Sequence, residues 1–229
     1  MVGYNRYFGW YKEAGSAENF GEWLDLYHNE KEKRPVCLSE YGGGGAISQH
    51  KDNVDWESDI DPVGVRHYEN YQSQLHEILW KQFSVRKYLW AEFIWCMFDF
   101  ASYGRTEGDT KSLNDKGLCT RERIPKDVYF FYRSVWSSEK TVYITERRHE
   151  FRACDVPFVK VYSNADAVEL CINDVSYGRI SRCELPNDES TVFVWENIKI
   201  KPDTKNKICA KAYFSDGTSR TDYAFWTGK

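Results

Sequence analysis

Two kinds of hydrophobic pattern divide this chain near residue 137. In the first part, short apolar runs alternate with stretches whose large residues recur at helical spacing. Met1 to Trp10 opens as an apolar-aromatic strand that places Asn5, Tyr7 and Trp10 at or just beyond its C-terminal end. Ser16 is a candidate cap for a helix with Phe20, Trp23, Leu24 and Tyr27 on one face. Val36 to Leu38 is short enough for a buried parallel strand. Gly64 to Phe83 carries Tyr68, Tyr71, Leu75, Ile78, Leu79 and Phe83 as an amphipathic helix. Tyr88 to Phe100, the most apolar run, reads as a buried strand ending in Trp95, Asp99 and Phe100. Gly117 to Thr120 reads as a short extended piece, and Asp127 to Trp136 as a third helix. Strand and helix in strict alternation predict an α/β region with a parallel sheet.

Beyond Ser137-Ser138-Glu139-Lys140 the period changes. Thr141 to Thr145, Phe158 to Tyr162, Ala167 to Ile172, Thr191 to Trp195, Lys207 to Phe214 and Tyr223 to Trp226 read as short strands. They are separated by turn signals at Ser163-Asn164, Asn173-Asp174, Pro186-Asn187-Asp188, Lys201-Pro202-Asp203 and Ser215-Asp216-Gly217. Regular short strands with such turns predict a β-sandwich of the immunoglobulin kind. The expected domains are therefore 1–137 and 138–229.

Composition narrows the functional classes. The 229 residues carry a net charge of -4 with no long basic block, which argues against a nucleic-acid partner. No run approaches a membrane span, and Met1 is not followed by a basic-then-apolar leader. Seven cysteines, an odd number without a CxxC, predict reduced, buried thiols rather than a disulfide frame or zinc site. Aromatic residues make up 17%; sugars bind on flat aromatic platforms, but most of these side chains are read as core.

The residue with the clearest chemistry is Glu40. It stands at the C-terminal mouth of the Val36 strand, where an α/β barrel keeps its reacting groups. Four glycines, Gly42 to Gly45, follow and allow a sharp turn beside a ligand. A strand-capping Glu in a surface turn is the plain alternative. The loop to Pro62 holds His50, Asp52, Asp55, Asp59 and Asp61; their spacing fits no EF-hand, and no metal site is expected. Glu13 and Glu22 read as solvated helix faces.

NRYFGWY, PVCLSEYGGGG, FIWCMFDFA and NDKGLCTRERIPKD, in that order, resemble the catalytic barrel of glycoside hydrolase family 2, which includes β-galactosidases, β-glucuronidases and β-mannosidases. VKVYSNADAVELCINDVSYG and FVWENIKIKPDTKNKICAKA resemble the immunoglobulin-like domain that follows it. The resemblance implies the last three or so strands of a (β/α)8 TIM barrel joined to a β-sandwich. It makes Glu40 the nucleophile at the end of the seventh strand. Asn5 and Tyr7 become sugar contacts after the sixth, and Trp95 the aromatic lining the pocket after the eighth. His50 matches a loop histidine near the nucleophile, and Asn114 with Lys116 an N-x-K pattern that holds a substrate carboxylate in β-glucuronidases. The implied activity is retaining exo-β-glycoside hydrolysis of β-galactosides, without a cofactor. β-Glucuronides, or a non-catalytic carbohydrate-binding or accessory role, are the alternatives. The family's acid/base Glu and first five strands have no counterpart here, and neither Glu92 nor Asp99 is assigned to proton transfer. The chain alone is therefore expected to be inactive, completed by the missing barrel part or by a homo-oligomer.

Overall fold

In a computed structural model that describes residues 3–186 and 190–229, the chain divides into two compact units. The first comprises Met1–Gln49 and Val54–Val128; the second comprises His50–Asn53 and Tyr129–Lys229.

The first unit is organised on three parallel strands, β1 (Gly3–Asn5), β2 (Val36–Tyr41) and β3 (Leu89–Ile94), in that spatial order. Helix α1 (Phe20–Glu30) joins β1 to β2, and α3 (Glu69–Phe83) precedes β3. Their apolar faces close over the sheet. Phe8 stacks on Phe20 at 4.4 Å, Phe83 meets Phe20 edge-on at 5.1 Å, and Leu24, Leu38, Leu75 and Leu79 fill the space between. Neither Ser16 nor Asn19 caps α1 with its side chain. A 3-10 turn (Ala17–Asn19) leads in, and Gln82 of α3 accepts the Gly21 N–H at 2.5 Å, so a tertiary contact satisfies an orphan donor. The long polar loop is partly ordered by α2 (Trp56–Asp59), whose cap Asp55 accepts from the Glu57 and Ser58 amides.

The run expected as one buried strand is broken and half exposed. After β3 the chain turns into β4 (Phe100–Ala101), which pairs antiparallel with β5 (Leu113–Asn114). Trp90, Phe93 and Met97 are 47, 55 and 46% exposed. Among the described residues β3 pairs only with β2, and its Trp90 and Phe93 side chains are exposed. Phe98 bridges Cys119, making 117–120 the extended piece expected. Helix α4 (Asp127–Trp136) follows, its first amide satisfied by Glu69 at 3.0 Å.

The second unit is two sheets around one core, antiparallel except at one two-residue edge strand. β6 (Val142–Ile144), β8 (Asp155–Ser163) and β11 (Val192–Lys199) form one, in the order β11-β8-β6. The other contains β7 (Phe151–Arg152), β9 (Ala167–Ile172), β10 (Val175–Ser181), β12 (Lys205–Tyr213) and β13 (Ser219–Gly228), in the order β10-β9-β12-β13-β7. Along β12, Asn206, Ile208, Ala210 and Ala212 point inward while Lys205, Lys207, Cys209 and Lys211 point outward, the period of two that binary patterning demands. Phe193 and Trp226 are fully buried between the sheets. Asn173 and Asp174 both take positive φ (50° and 64°), giving the two-residue hairpin between β9 and β10. The turn signal at Pro186-Asn187-Asp188 lies partly outside the described residues.

Candidate active site

Glu40 is the penultimate residue of β2, and strand register brings Asn5 of β1 beside it. An irregularity between Tyr4 and Asn5 lets the chain rise over the strand end, where the Arg6 amide donates to the Glu40 carbonyl at 2.9 Å. Tyr7 then reaches back, its hydroxyl donating to Glu40 Oε2 at 2.7 Å. Burial, reinforced by that bond, pushes the Tyr7 phenol far above its ordinary range, so it stays a donor. The half-buried carboxylate is thus fixed through one oxygen, while Oε1 has no hydrogen-bond partner among the described residues. Ser39 donates to Asn5 Oδ1 at 2.7 Å, holding the Asn5 amide at the same strand ends.

A second group assembles around Lys116. Its ammonium lies 5.4 Å from the Trp10 ring centre and 5.6 Å from that of Tyr11, and Tyr11 in turn meets Tyr7 edge-on at 5.5 Å. Two tyrosine rings therefore link the Glu40 carboxylate to the lysine. Lys116 is only 2% exposed, yet among the described residues it pairs with no carboxylate. Asn114 shapes the turn beneath, its Oδ1 accepting the Lys116 amide at 3.1 Å. Trp95, half buried, donates its amide to the Tyr41 carbonyl at 2.9 Å and stands edge-on to Phe100 at 5.8 Å. The aromatic faces attract the buried ammonium and offset part of the cost of burying its charge.

Buried charges lock the backbone that carries these groups. His67 Nδ1 lies 2.7 Å from Asp115 Oδ2 with both residues buried. Burial alone would raise the Asp115 carboxyl, but the bond to His67 and the nearby lysines outweigh it and leave it below its ordinary value. Lys126, 0% exposed, pairs with Asp99 at 2.8 Å and donates to the Asp115 carbonyl at 2.8 Å. Burial dominates at Asp99, pushing its carboxyl up to about 6 against the pull of Lys126. Of the four glycines only Gly42 has a positive φ (134°). Gly43, Gly44 and Gly45 are required by close packing. A Cβ on Gly44 would sit 2.5 Å from Asp115 Oδ1, and one on Gly45 2.6 Å from Gln72 Oε1. His67, Asp115, Lys126 and Tyr11 were not among the expected site residues; only the N-D-K text around Asp115 and the aromatic run holding Tyr11 hinted at them.

His50 belongs to the second unit, where it stacks on His149 at 5.5 Å. There Asp52, Glu146 and His149 bring three potential ligand atoms within 4.8 Å of one another. The buried guanidinium of Arg152 already pairs with both carboxylates, so a cation placed among them would face a fixed positive charge.

Residues 1–141 match the family model for the glycosyl hydrolases family 2 TIM barrel domain, and residues 156–220 match a domain of unknown function, DUF4982. A β-glucuronidase of Bacteroides fragilis is 34% identical over 201 residues, covering 87% of this chain and 28% of that protein. A β-galactosidase of Bacteroides ovatus is 24% identical over 137 residues, covering 60% of this chain and 16% of that protein. The crystal structure of an FMN-binding β-glucuronidase from Facaelibacterium prausnitzii L2-6 superposes with a TM-score of 0.83 at 33% identity, over 99% of this chain and 32% of that one. The chain thus spans less than a third of the length of these relatives. With more than half of its residues in one family model and its four ordered motifs inside the matched region, the chain belongs to glycosyl hydrolase family 2.

Proposed function

We propose that this chain supplies the nucleophile and the sugar-carboxylate receptor of a retaining exo-β-glycosidase that acts on β-glucuronides. The observation that carries the choice of sugar is Lys116. A buried ammonium without an anionic partner is costly, and a uronate carboxylate would complete it with a charge-assisted hydrogen bond. A galactoside, the substrate first expected from the sequence, offers only a neutral hydroxyl there. The β-glucuronidase relative at 34% identity supports the same reading. Glu40 attacks the anomeric carbon through Oε1 while Tyr7 holds Oε2. Asn5 and Trp95 are the expected contacts to the sugar, with Asn114 setting the angle of Lys116.

Retention needs a second carboxylate about 5–5.5 Å from the first, to protonate the leaving oxygen and later activate water. Among the described residues no ion pair or hydrogen bond brings one to Glu40, and Glu92 stands in register with Leu38, two residues earlier on β2. The proposal therefore takes the proton donor from the remainder of a complete barrel, with 1–137 as its last three strands and 138–229 as a separate immunoglobulin-like domain. The test is turnover of chromogenic β-glucuronides and β-galactosides by the chain alone and by a polypeptide joining it to a complete family barrel. The joined protein should hydrolyse glucuronides. Lys116→Ala should lower kcat/KM there by on the order of 10²–10³-fold, the loss expected when a buried charge pair is broken. Robust hydrolysis by the chain alone, or glucuronide turnover insensitive to Lys116→Ala, would overturn the assignment of roles.

A further inference from the structure

On the outward face of the five-stranded sheet, Cys171 of β9 stands directly opposite Cys209 of β12. Both are partly exposed, whereas Ile172, Leu170, Ile208 and Ala210 beside them point into the core. No other strand pairing among the described residues sets cysteine against cysteine. Directly opposed residues in an antiparallel pair have Cα atoms about 4.5–5.5 Å apart. A disulfide needs a Cα separation of roughly 4.4–6.8 Å, which this register meets; the Cβ atoms, about 4.5–5.5 Å apart in such a pair, need only close to roughly 3.5–4.5 Å. Tyr223 of β13 flanks Cys209 and Ser176 of β10 flanks Cys171, so the two thiols form a row with hydroxyl-bearing neighbours on a solvent-facing surface. Both thiols are free.

We propose that Cys171 and Cys209 form a cross-strand dithiol that low-molecular-weight disulfides oxidise reversibly to an intramolecular bond. In the first step the sulfur of one cysteine, having given up its proton, attacks the small disulfide. A protein–small-molecule mixed disulfide forms and one small thiol leaves, taking that proton. In the second step the other cysteine attacks the protein sulfur of the mixed disulfide, the Cys171–Cys209 bond forms, and a second small thiol leaves with the remaining proton. Two protein thiols are oxidised and one small disulfide is reduced to two thiols. Burial raises both thiols, and the Glu169 charge raises Cys171 further while the Cys171 charge does so at Cys209. The first attack is therefore the slow step, and the second, with its partner already alongside, is fast. The product ties β9 to β12, an inner pairing of the sheet, across the connection that contains β10 and β11. This site does not depend on the glycosidase reading.

The experiment uses the full chain with Cys183→Ser, because exposed Cys183 would otherwise link separate molecules. The folded protein is incubated with oxidised glutathione, alkylated, and mapped by mass spectrometry. The expected product has lost two hydrogens, contains one cross-link between the peptides bearing residues 171 and 209, and reverts with dithiothreitol. Its thermal midpoint should rise on the order of several degrees, as closing a loop of this size predicts. Cys171→Ser or Cys209→Ser should instead stop at the glutathione adduct of the remaining cysteine. Persistent adducts on both cysteines would overturn the proposal. So would two thiols that a maleimide labels in the folded chain but glutathione leaves untouched, or a cross-link that forms only in urea.

Discussion

Lys126→Met tests the charge network that holds the Asn114–Lys116 turn, and its effect should depend on pH in a defined way. Lys126 is fully buried, pairs with Asp99 at 2.8 Å and also donates to the Asp115 carbonyl. Asp99 is itself 4% exposed and raised from 3.8 to about 6, first by burial, with Lys126 pulling the other way. Raising a carboxyl that far costs the fold about 3 kcal/mol at neutral pH. The sign is opposite to that of most acids. The stability associated with protonated Asp99 is fully present below about 3.8 and is lost as pH rises through about 6. Without Lys126 nothing comparable opposes burial, so Asp99 should keep its proton to higher pH. Above pH 6 the folded variant then holds one proton that the wild type has lost. The penalty should therefore grow by about 1.4 kcal/mol per pH unit, approaching the 3–5 kcal/mol expected for a broken buried pair near pH 8. His76, buried and held to about 3 by burial and then by the Lys126 charge, could contribute in the variant. The Lys126→Met/Asp99→Asn double variant controls for that. Urea unfolding at pH 6 and pH 8 reads the outcome. Equal penalties at the two pH values, or a double variant with the same pH slope as the single one, would refute the reasoning.

Other changes probe the packing directly. Gly117→Ala would bring a Cβ within 2.2 Å of the Asp99 amide nitrogen and 2.4 Å of the Cys119 carbonyl oxygen, all backbone, and should cost about 3 kcal/mol or more by urea unfolding. Trp226→Ala empties the centre of the second unit and removes the ring under Arg152, so a loss of about 3–5 kcal/mol is expected by thermal unfolding. Arg152→Met leaves the buried Glu146 carboxylate without its guanidinium. Burial alone raises that carboxyl, whereas His149 and Arg152 at present hold it below its ordinary value. The wild-type contribution of Glu146 is present above the ordinary carboxylate range and lost as pH falls through its lowered value, so the Arg152→Met penalty should be larger at pH 7 than at pH 4. A penalty equal at both would show that Arg152 acts only through packing.

What could be read from the sequence follows from how local its cause is. Helix α4 and strand β9 fall on their expected residues because the spacing of apolar side chains decides them. Strand β10 was invisible. Its Val175–Ser181 stretch is mostly exposed, contains Gly178 and carries an irregular register against β9, so no alternation marks it. Strand β7 is two residues held by pairing with β13, a purely non-local cause. The cysteines divide in the same way. Cys37 and Cys119 are buried as expected, while Cys183 is exposed on a 3-10 turn, a location that composition does not signal.

The site shows the same limit where it matters most for chemistry. Glu40 can be singled out because a strand end and a glycine run mark it, but the reason for the glycines could not. Three of the four exist so that α3 and the Asp115 loop can approach β2 closely, and only Gly42 serves a turn. Lys116 is legible as a residue type and not as a state. A lysine in a charged, Gly-rich loop ordinarily faces water, whereas here it is buried against Trp10 and Tyr11 and, among the described residues, makes no ion pair. Asp115, adjacent in sequence and the obvious partner, is instead committed to His67, 48 residues away. That commitment keeps the Lys116 charge available, and it arises from a pairing between segments that no local pattern encodes. If His67 were replaced by Leu, Asp115 would lose its partner and Lys116 would become its nearest available cation. On the proposed reading of Lys116, its charge would then be quenched from within, so glucuronide KM in the joined barrel should rise while turnover at saturation changes little. A fall in kcat with KM unchanged would place the role of His67 elsewhere.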